Sequence, residues 1–240
     1  MKKFSGGLRN KKYKHEDSDE YYTPMETVEN VFQKLGKHIE GKKIWFPCDT
    51  EESAFVKYAK LHGLNFKASS NNFLDNKELL EWCDVVITNP PFSKLPTFCN
   101  FIKGGGKDFA FFTNIGTSYI VLRRIKTVAF SVPTNFFRPN GQIVRVGNIG
   151  CVNSFGISDD IPLPSCENPQ FEYDDKTNIP ILNSVKKFPK YSIAPKLMLV
   201  TATVILRDIS AWEIVKVEDP VVNGKKKFSR ILIRKREEHG

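Results

Sequence analysis

The run Asp84-Val85-Val86-Ile87-Thr88-Asn89-Pro90-Pro91-Phe92 holds the residues of this chain with the clearest chemical consequence. An apolar segment leads directly into Asn-Pro-Pro-Phe. The two prolines fix the backbone and remove two N–H donors. The Pro90 carbonyl and the Asn89 side-chain oxygen are left as rigid acceptors, with the Phe92 ring beside them. Two acceptors and a stacking plate suit a planar group bearing an exocyclic NH₂, whose two N–H donors they can receive. A nucleobase has such a group, and so does an amide. A plain turn would need neither the buried strand in front of the tetrapeptide nor the aromatic behind it.

The rest of the composition narrows the chemistry. No two of the five cysteines are spaced C-x-x-C, and the four histidines are scattered, so no metal site and no His–carboxylate triad is expected. Reduced thiols, no apolar run long enough for a membrane span and no signal segment give a cytoplasmic expectation with no membrane partner. Lys plus Arg is 36 against 27 Asp plus Glu, a net charge of +9, which favours a polyanionic partner. Hydrophobic residues are 40% of the chain, with 19 Phe, enough for a substantial core.

Around the tetrapeptide, strand and helix patterns alternate. Thr23-Pro24-Met25-Glu26 reads as a capping box, followed by Met25, Val28, Phe32, Leu35 and Ile39 at helical spacing. Strands are expected at 44–46, 64–68, 85–87, 109–112 and 128–132. Helices are expected at 53–62, with Phe55, Tyr58, Ala59 and Leu61 inward, and at 76–82, 96–103 and 118–125. This alternation predicts an α/β domain with a mainly parallel sheet, in which ligands bind at the carboxyl ends of strands. Phe136-Phe137 and Ile143-Val144 flank a turn at Pro139-Asn140-Gly141, and a further strand is expected over 149–155. The stretch 197–206 could be strand or helix, its Val, Thr and Ile content favouring strand, while 156–195 is rich in Pro, Asp, Asn and Ser. Residues 1–18 form a basic arm, with Lys2, Lys3, Arg9, Lys11, Lys12 and Lys14 ahead of the first acid.

Asn-Pro-Pro-Phe after a strand resembles the catalytic motif of S-adenosylmethionine-dependent amino-methyltransferases. Asp19-Glu20-Tyr21-Tyr22-Thr23, and Ile44 to Asp49 with Ser53-Ala54-Phe55, are similar to the cofactor motifs of the EcoRI-type adenine-specific (N6) DNA methyltransferases. The resemblance covers about residues 16–155. It implies a Rossmann-like methyltransferase sheet with a C-terminal antiparallel hairpin, and double-stranded DNA as partner in a restriction-modification setting. The division is then an arm over 1–18, a catalytic domain over 19–155 and a DNA-contacting, β-rich extension over 156–240 packed on the same core.

Carried over by residue, the resemblance makes Asn89 and Pro90 acceptors for an adenine amino group, within a catalytic loop completed by Pro91 and a stacking Phe92. Tyr21, Tyr22, Thr23, Asp49, Asn72 and Phe73 would bind the cofactor. Arg123, Arg124, Arg138 and Arg145 would meet nucleic acid. The chain departs from the family at two places. Pro47-Cys48-Asp49-Thr50 replaces the usual glycine-rich turn, and Asn72 stands in the place of an acid. Asp49 could equally cap the helix that follows it, and Asn72-Phe73 could equally be a turn and a core phenylalanine. The segment between 68 and 85 is too short for a full extra helix and strand, so the sheet is expected to lack one edge strand. An RNA adenine or a protein glutamine is the alternative substrate. A DNA-binding relative without catalysis is the alternative from a different class.

Overall fold

The computed structural model describes residues 22–133, 135–138 and 141–237. The basic arm, Tyr21, Pro139 and Asn140 lie outside the described residues. The alternating apolar segments form a six-stranded sheet from β1 (Ile44–Pro47), β2 (Phe66–Ser69), β3 (Val85–Thr88), β4 (Asp108–Asn114), β5 (Val128–Ser131) and, after a small hairpin of β6 (Asn135–Phe137) and β7 (Ile143–Arg145), β8 (Ile149–Asn153). Its order is β2-β1-β3-β4-β8-β5. Neighbouring pairs among β2, β1, β3 and β4 are parallel, while β8 lies antiparallel between β4 and β5. The reversed strand is thus internal rather than at an edge. β2 is the last strand at its end, and residues 70–84 contain a 3₁₀ turn and a short helix with no further strand.

Strand alternation explains the layers. Ile44, Phe46, Val85, Ile87, Ala110, Phe112, Phe130 and Cys151 point to one face, which α1 (Met25–Leu35) and α2 (Ala54–Leu61) cover with Val28, Phe32, Phe55 and Val56. Trp45, Val86, Phe109, Phe111, Ala129 and Val152 point to the other. α3 (Lys77–Trp82), α4 (Leu95–Gly105) and the single turn α5 (Tyr119–Leu122) lie on that side. β1, β3 and β8 are therefore buried on both faces, the condition under which a strand reads as a continuous apolar run.

The second face carries more than helices. A five-stranded sheet, ordered β12-β15-β11-β10-β9, is built from β9 (Glu172–Tyr173), β10 (Pro180–Leu182), β11 (Leu197–Val200), β12 (Trp212–Glu218) and β15 (Arg230–Lys235). The hairpin of β13 (Val221–Val222) and β14 (Lys225–Lys226) sits between its last two strands in sequence. Leu182, Met198, Val200, Trp212, Ile231 and Ile233 join Phe98, Phe111 and Val152 in one continuous hydrophobic cluster. Residues 156–237 therefore share a core with the six-stranded sheet.

Several local expectations are corrected. α1 begins at Met25 with Pro24 as its N-cap, and no side chain caps it, so Thr23 does not close a capping box. Leu61 is 78% exposed, and Val56 occupies the inward position on α2 instead. The apolar run 197–206 breaks after Val200, and Ala202–Leu206 forms a 3₁₀ turn that packs on the first sheet. Apolar composition marked burial there but could not choose between strand and turn.

Candidate functional site

Two strand-to-helix turns meet at the carboxyl edge of the six-stranded sheet. β1 ends in Pro47-Cys48-Asp49-Thr50, and β3 ends in Thr88-Asn89-Pro90-Pro91-Phe92. Because the strands are parallel neighbours, paired Ile44 to Val85 and Trp45 to Val86, both turns emerge on the same side. The Thr88 hydroxyl ties them together: it donates to the Pro47 carbonyl and lies 3.2 Å from Asp49 Oδ2.

The first turn solves its geometry without glycine. Cys48 adopts φ +67°, the left-handed conformation that glycine ordinarily supplies at such a turn. The Asp49 N–H then donates to the Ser69 carbonyl, 3.1 Å away, at the end of β2. Ser53, not Asp49, is the N-cap of α2: its hydroxyl accepts from the Val56 N–H at 3.2 Å. Asp49 is thus released from the capping role. Its carboxyl is buried on the cleft wall, and desolvation pushes its pKa up to about 7, against hydrogen bonds from Ser53 and Thr88 that favour the charged form. Burial and the adjacent Asp49 also push the Cys48 thiol up to about 11, with Lys94 acting in the opposite direction. Cys48 is therefore a protonated thiol near neutral pH and not a nucleophile.

The second turn is stiff by covalent constraint. Pro90 is buried, Pro91 leads into a 3₁₀ turn over Phe92–Lys94, and the Lys94 N–H donates to the Pro91 carbonyl at 3.0 Å before α4 begins. Phe92 is half-buried against the α1/α2 cluster.

A cleft of about 630 Å³ opens between the turns, within the size range of small-molecule sites. Asn89, Pro90, Pro91, Phe92, Asp49, Asn72, Phe73, Tyr22 and Thr23 all line it. Tyr21, the tenth residue predicted for this site, lies outside the described residues. Asn72 is exposed at the rim and accepts from the Leu74 N–H at 3.4 Å, at the head of a 3₁₀ turn. Phe73 is 2% exposed and packs edge-on to Phe98, so its ring belongs mainly to the core. The pair is thus a turn and a core phenylalanine that also border the cleft. Tyr22 is held at the mouth by a two-way backbone bridge to Phe137 of β6, at 2.8 and 3.0 Å.

The predicted arginines divide. Arg138 and Arg145 are exposed on the β6–β7 hairpin, whose Phe137 lines the cleft. Arg123 and Arg124 do not line it. Arg123 pairs with Asp219 at 2.7 Å, and Arg124 donates to the Ile120 carbonyl at 2.8 Å. Ser53, from the cofactor-like motif, also lines the cleft, whereas sequence reasoning missed Lys94 and Phe137 as lining residues. Lys94 follows the tetrapeptide closely enough to be found. Nothing local marks Phe137, which arrives through the hairpin.

No protein-family model, curated protein or solved structure matches this chain. Among the described residues, no helix is long and apolar enough to cross a membrane.

Proposed function

We propose that the chain is an S-adenosylmethionine-dependent DNA adenine-N6 methyltransferase. The observation that carries this reading is the convergence of the buried Asp49 carboxyl and the Asn89–Phe92 turn on one cleft at the carboxyl ends of parallel strands. The six-stranded sheet, with one antiparallel strand and no strand beyond β2, is compatible with a Rossmann-like methyltransferase sheet short of one edge strand.

The cleft residues fit the cofactor by chemistry. Asp49 offers a carboxylate for an ammonium, the left-handed Cys48 turn brings backbone close to a ligand, and Asn72 offers both donor and acceptor to an adenine ring. When bound, S-adenosylmethionine supplies an electrophilic methyl on a sulfonium. The protein's part is to hold the acceptor nitrogen. An adenine amino nitrogen is a poor nucleophile because its lone pair is delocalised into the ring. Asn89 and the Pro90 carbonyl accept its two N–H groups, draw it toward a pyramidal geometry and stabilise the positive charge that develops on it. This is electrostatic stabilisation by preorganised acceptors; the methylated nitrogen then loses its extra proton to solvent, so no tuned general base is required. Phe92 stacks on the base, which must leave the duplex to reach the cleft. Arg138 and Arg145, on the hairpin beside the cleft, are assigned to the DNA backbone.

The test is calorimetric titration with S-adenosylmethionine, followed by mapping of methylated bases in DNA treated with the protein. Saturable heat and N6-methyladenine at a fixed sequence are expected. Absence of any heat would overturn the reading and favour a DNA-binding relative without catalysis. Heat with methyl label only on RNA or on glutamine would move the substrate to those alternatives.

A further inference from the structure

The carboxyl edge of the six-stranded sheet has a second feature outside the cleft. β3 and β4 are parallel neighbours, with Thr88 paired to Phe111. The Asn-Pro-Pro-Phe turn after β3 and the 3₁₀ turn Ile115–Thr117 after β4 therefore leave the sheet on the same side. The latter turn and α5 form one wall of a shallow depression of about 510 Å³, through Gly116, Thr117, Tyr119 and Ile120. The opposite wall is Phe228, Ser229 and Arg230, from the extension.

Phe228 is 84% exposed. A lone exposed apolar side chain is ordinary, but this one stands on a loop that is clamped. The Ser229 hydroxyl donates to Asp219 Oδ1 at 2.5 Å. Arg123 donates to the same carboxylate oxygen at 2.7 Å and to Ser229 Oγ at 3.2 Å. Arg230 donates to the Phe228 and Ser229 carbonyls at 3.0 and 3.1 Å, and to Asn183 at 2.8 Å. The Lys227 N–H donates to the Pro220 carbonyl at 2.8 Å. These bonds fix the backbone on either side of an outward phenyl ring, an arrangement that lowers the ordering cost of a contact. Three consecutive lysines precede the ring, at least two of them exposed. Lys225, Lys226 and Lys227 follow one another beside the ring, with Lys226 paired to Asp219 and Lys227 to Glu172, while Glu218 lies opposite Arg230 and Asp174 and Asp175 accept backbone N–H groups of the 221–224 turn.

We propose that Phe228 is a stacking contact for the DNA substrate, acting on a base exposed beside the extruded adenine, with Lys225 to Lys227 on the flanking phosphates. Arg123 is then a positioning residue for this loop rather than a DNA contact. An outward aromatic on a fixed backbone beside Lys225 to Lys227 suits nucleic acid because every base has a π-face, while the lysines supply a sequence-independent attraction. The inference rests on the proposed DNA substrate and adds a second contact contributed by the extension.

Two variants test it, Phe228→Ala and Phe228→Trp, each measured against a methylatable duplex, a scrambled duplex and single-stranded RNA. Phe228→Ala is expected to weaken binding of the methylatable duplex by about 5- to 100-fold, with unchanged thermal unfolding because the ring is exposed. Phe228→Trp should retain affinity, and its added indole should be quenched on binding. Duplex affinity of Phe228→Ala within twofold of the parent, or an indole signal that DNA does not move, overturns the proposal. So does a parent protein that binds no duplex, or a Phe228→Ala defect confined to RNA. If the parent binds duplex but neither takes up S-adenosylmethionine nor methylates, the enzymatic reading fails, while the Phe228→Ala affinity still decides the stacking contact.

Discussion

The two turns that bound the cleft reach the same rigidity by opposite routes. Asn89–Phe92 is stiff because two proline rings fix its backbone, whatever surrounds it. Pro47–Thr50 is stiff because its surroundings hold it: Cys48 sits at φ +67°, Asp49 is buried with a raised pKa, and Thr88 and Ser69 reach across from neighbouring strands. The first arrangement fixes the backbone that carries the Pro90 carbonyl, which would suit a group used in a transition state. The second stores unfavourable terms that a cationic ligand would relieve, which would suit a binding group. Under the proposed function, this difference would give rate to one turn and affinity to the other.

Asn89→Ala should break the rate side with the largest effect. Methyl transfer is expected to fall by about 10²- to 10³-fold, since one preorganised group is removed, while the affinity for S-adenosylmethionine changes little. Single-turnover kinetics with calorimetry separates the two; retention of more than half the parent rate would remove Asn89 from the mechanism.

Asp49→Asn should break the affinity side. Loss of a charge-assisted bond is expected to weaken cofactor binding by about 10- to 100-fold. In the parent, that affinity should rise with pH through about 7, as the Asp49 carboxyl ionises, and this rise should vanish in the variant. Stability runs the other way. The native carboxyl titrates near 7 and the unfolded one near 3.8, so the native state holds more protons between those values. The stabilising contribution is complete below the unfolded pKa and is lost as pH rises through about 7. Asp49→Asn should therefore be the more stable protein at pH 8, by up to roughly 3–4 kcal/mol, and no more stable at pH 3.5. Denaturant unfolding at the two pH values checks the sign; a variant less stable at pH 8 would show that the fold favours the Asp49 carboxylate and does not push its pKa up.

Cys48→Gly sharpens the comparison with the smallest effect. Glycine removes the left-handed strain but raises the entropy of the unfolded chain, so the two terms nearly cancel. A change within about 1 kcal/mol and unchanged catalysis are expected. Cys48→Val at the same position should destabilise by more, because a β-branched residue tolerates positive φ worst. Thermal unfolding of the pair tests this, and a Val variant as stable as the Gly variant would show that the turn relaxes.

What the sequence determined by itself was whatever depended on neighbours in the chain. The doubly buried strands at 44–47 and 85–88 were legible because burial on both faces forces an apolar run. Asn89–Phe92 was legible because proline acts within its own peptide. The absence of a strand between β2 and β3 followed from chain length alone. Tertiary structure decided what depended on distant partners. Leu61 is left outside because α2 turns Val56 inward instead, and residues 197–206 divide because Ala202–Leu206 must pack beneath the first sheet. Arg123 is charged like Arg138, but only the fold places Asp219 and Ser229 against it. Asp49 reads as a helix cap or a ligand group until Ser53 is seen to take the cap and Thr88, from another strand, to reach its carboxyl. Burial and long-range hydrogen bonding set the chemistry of such a side chain, and neither is written in the residues adjacent to it.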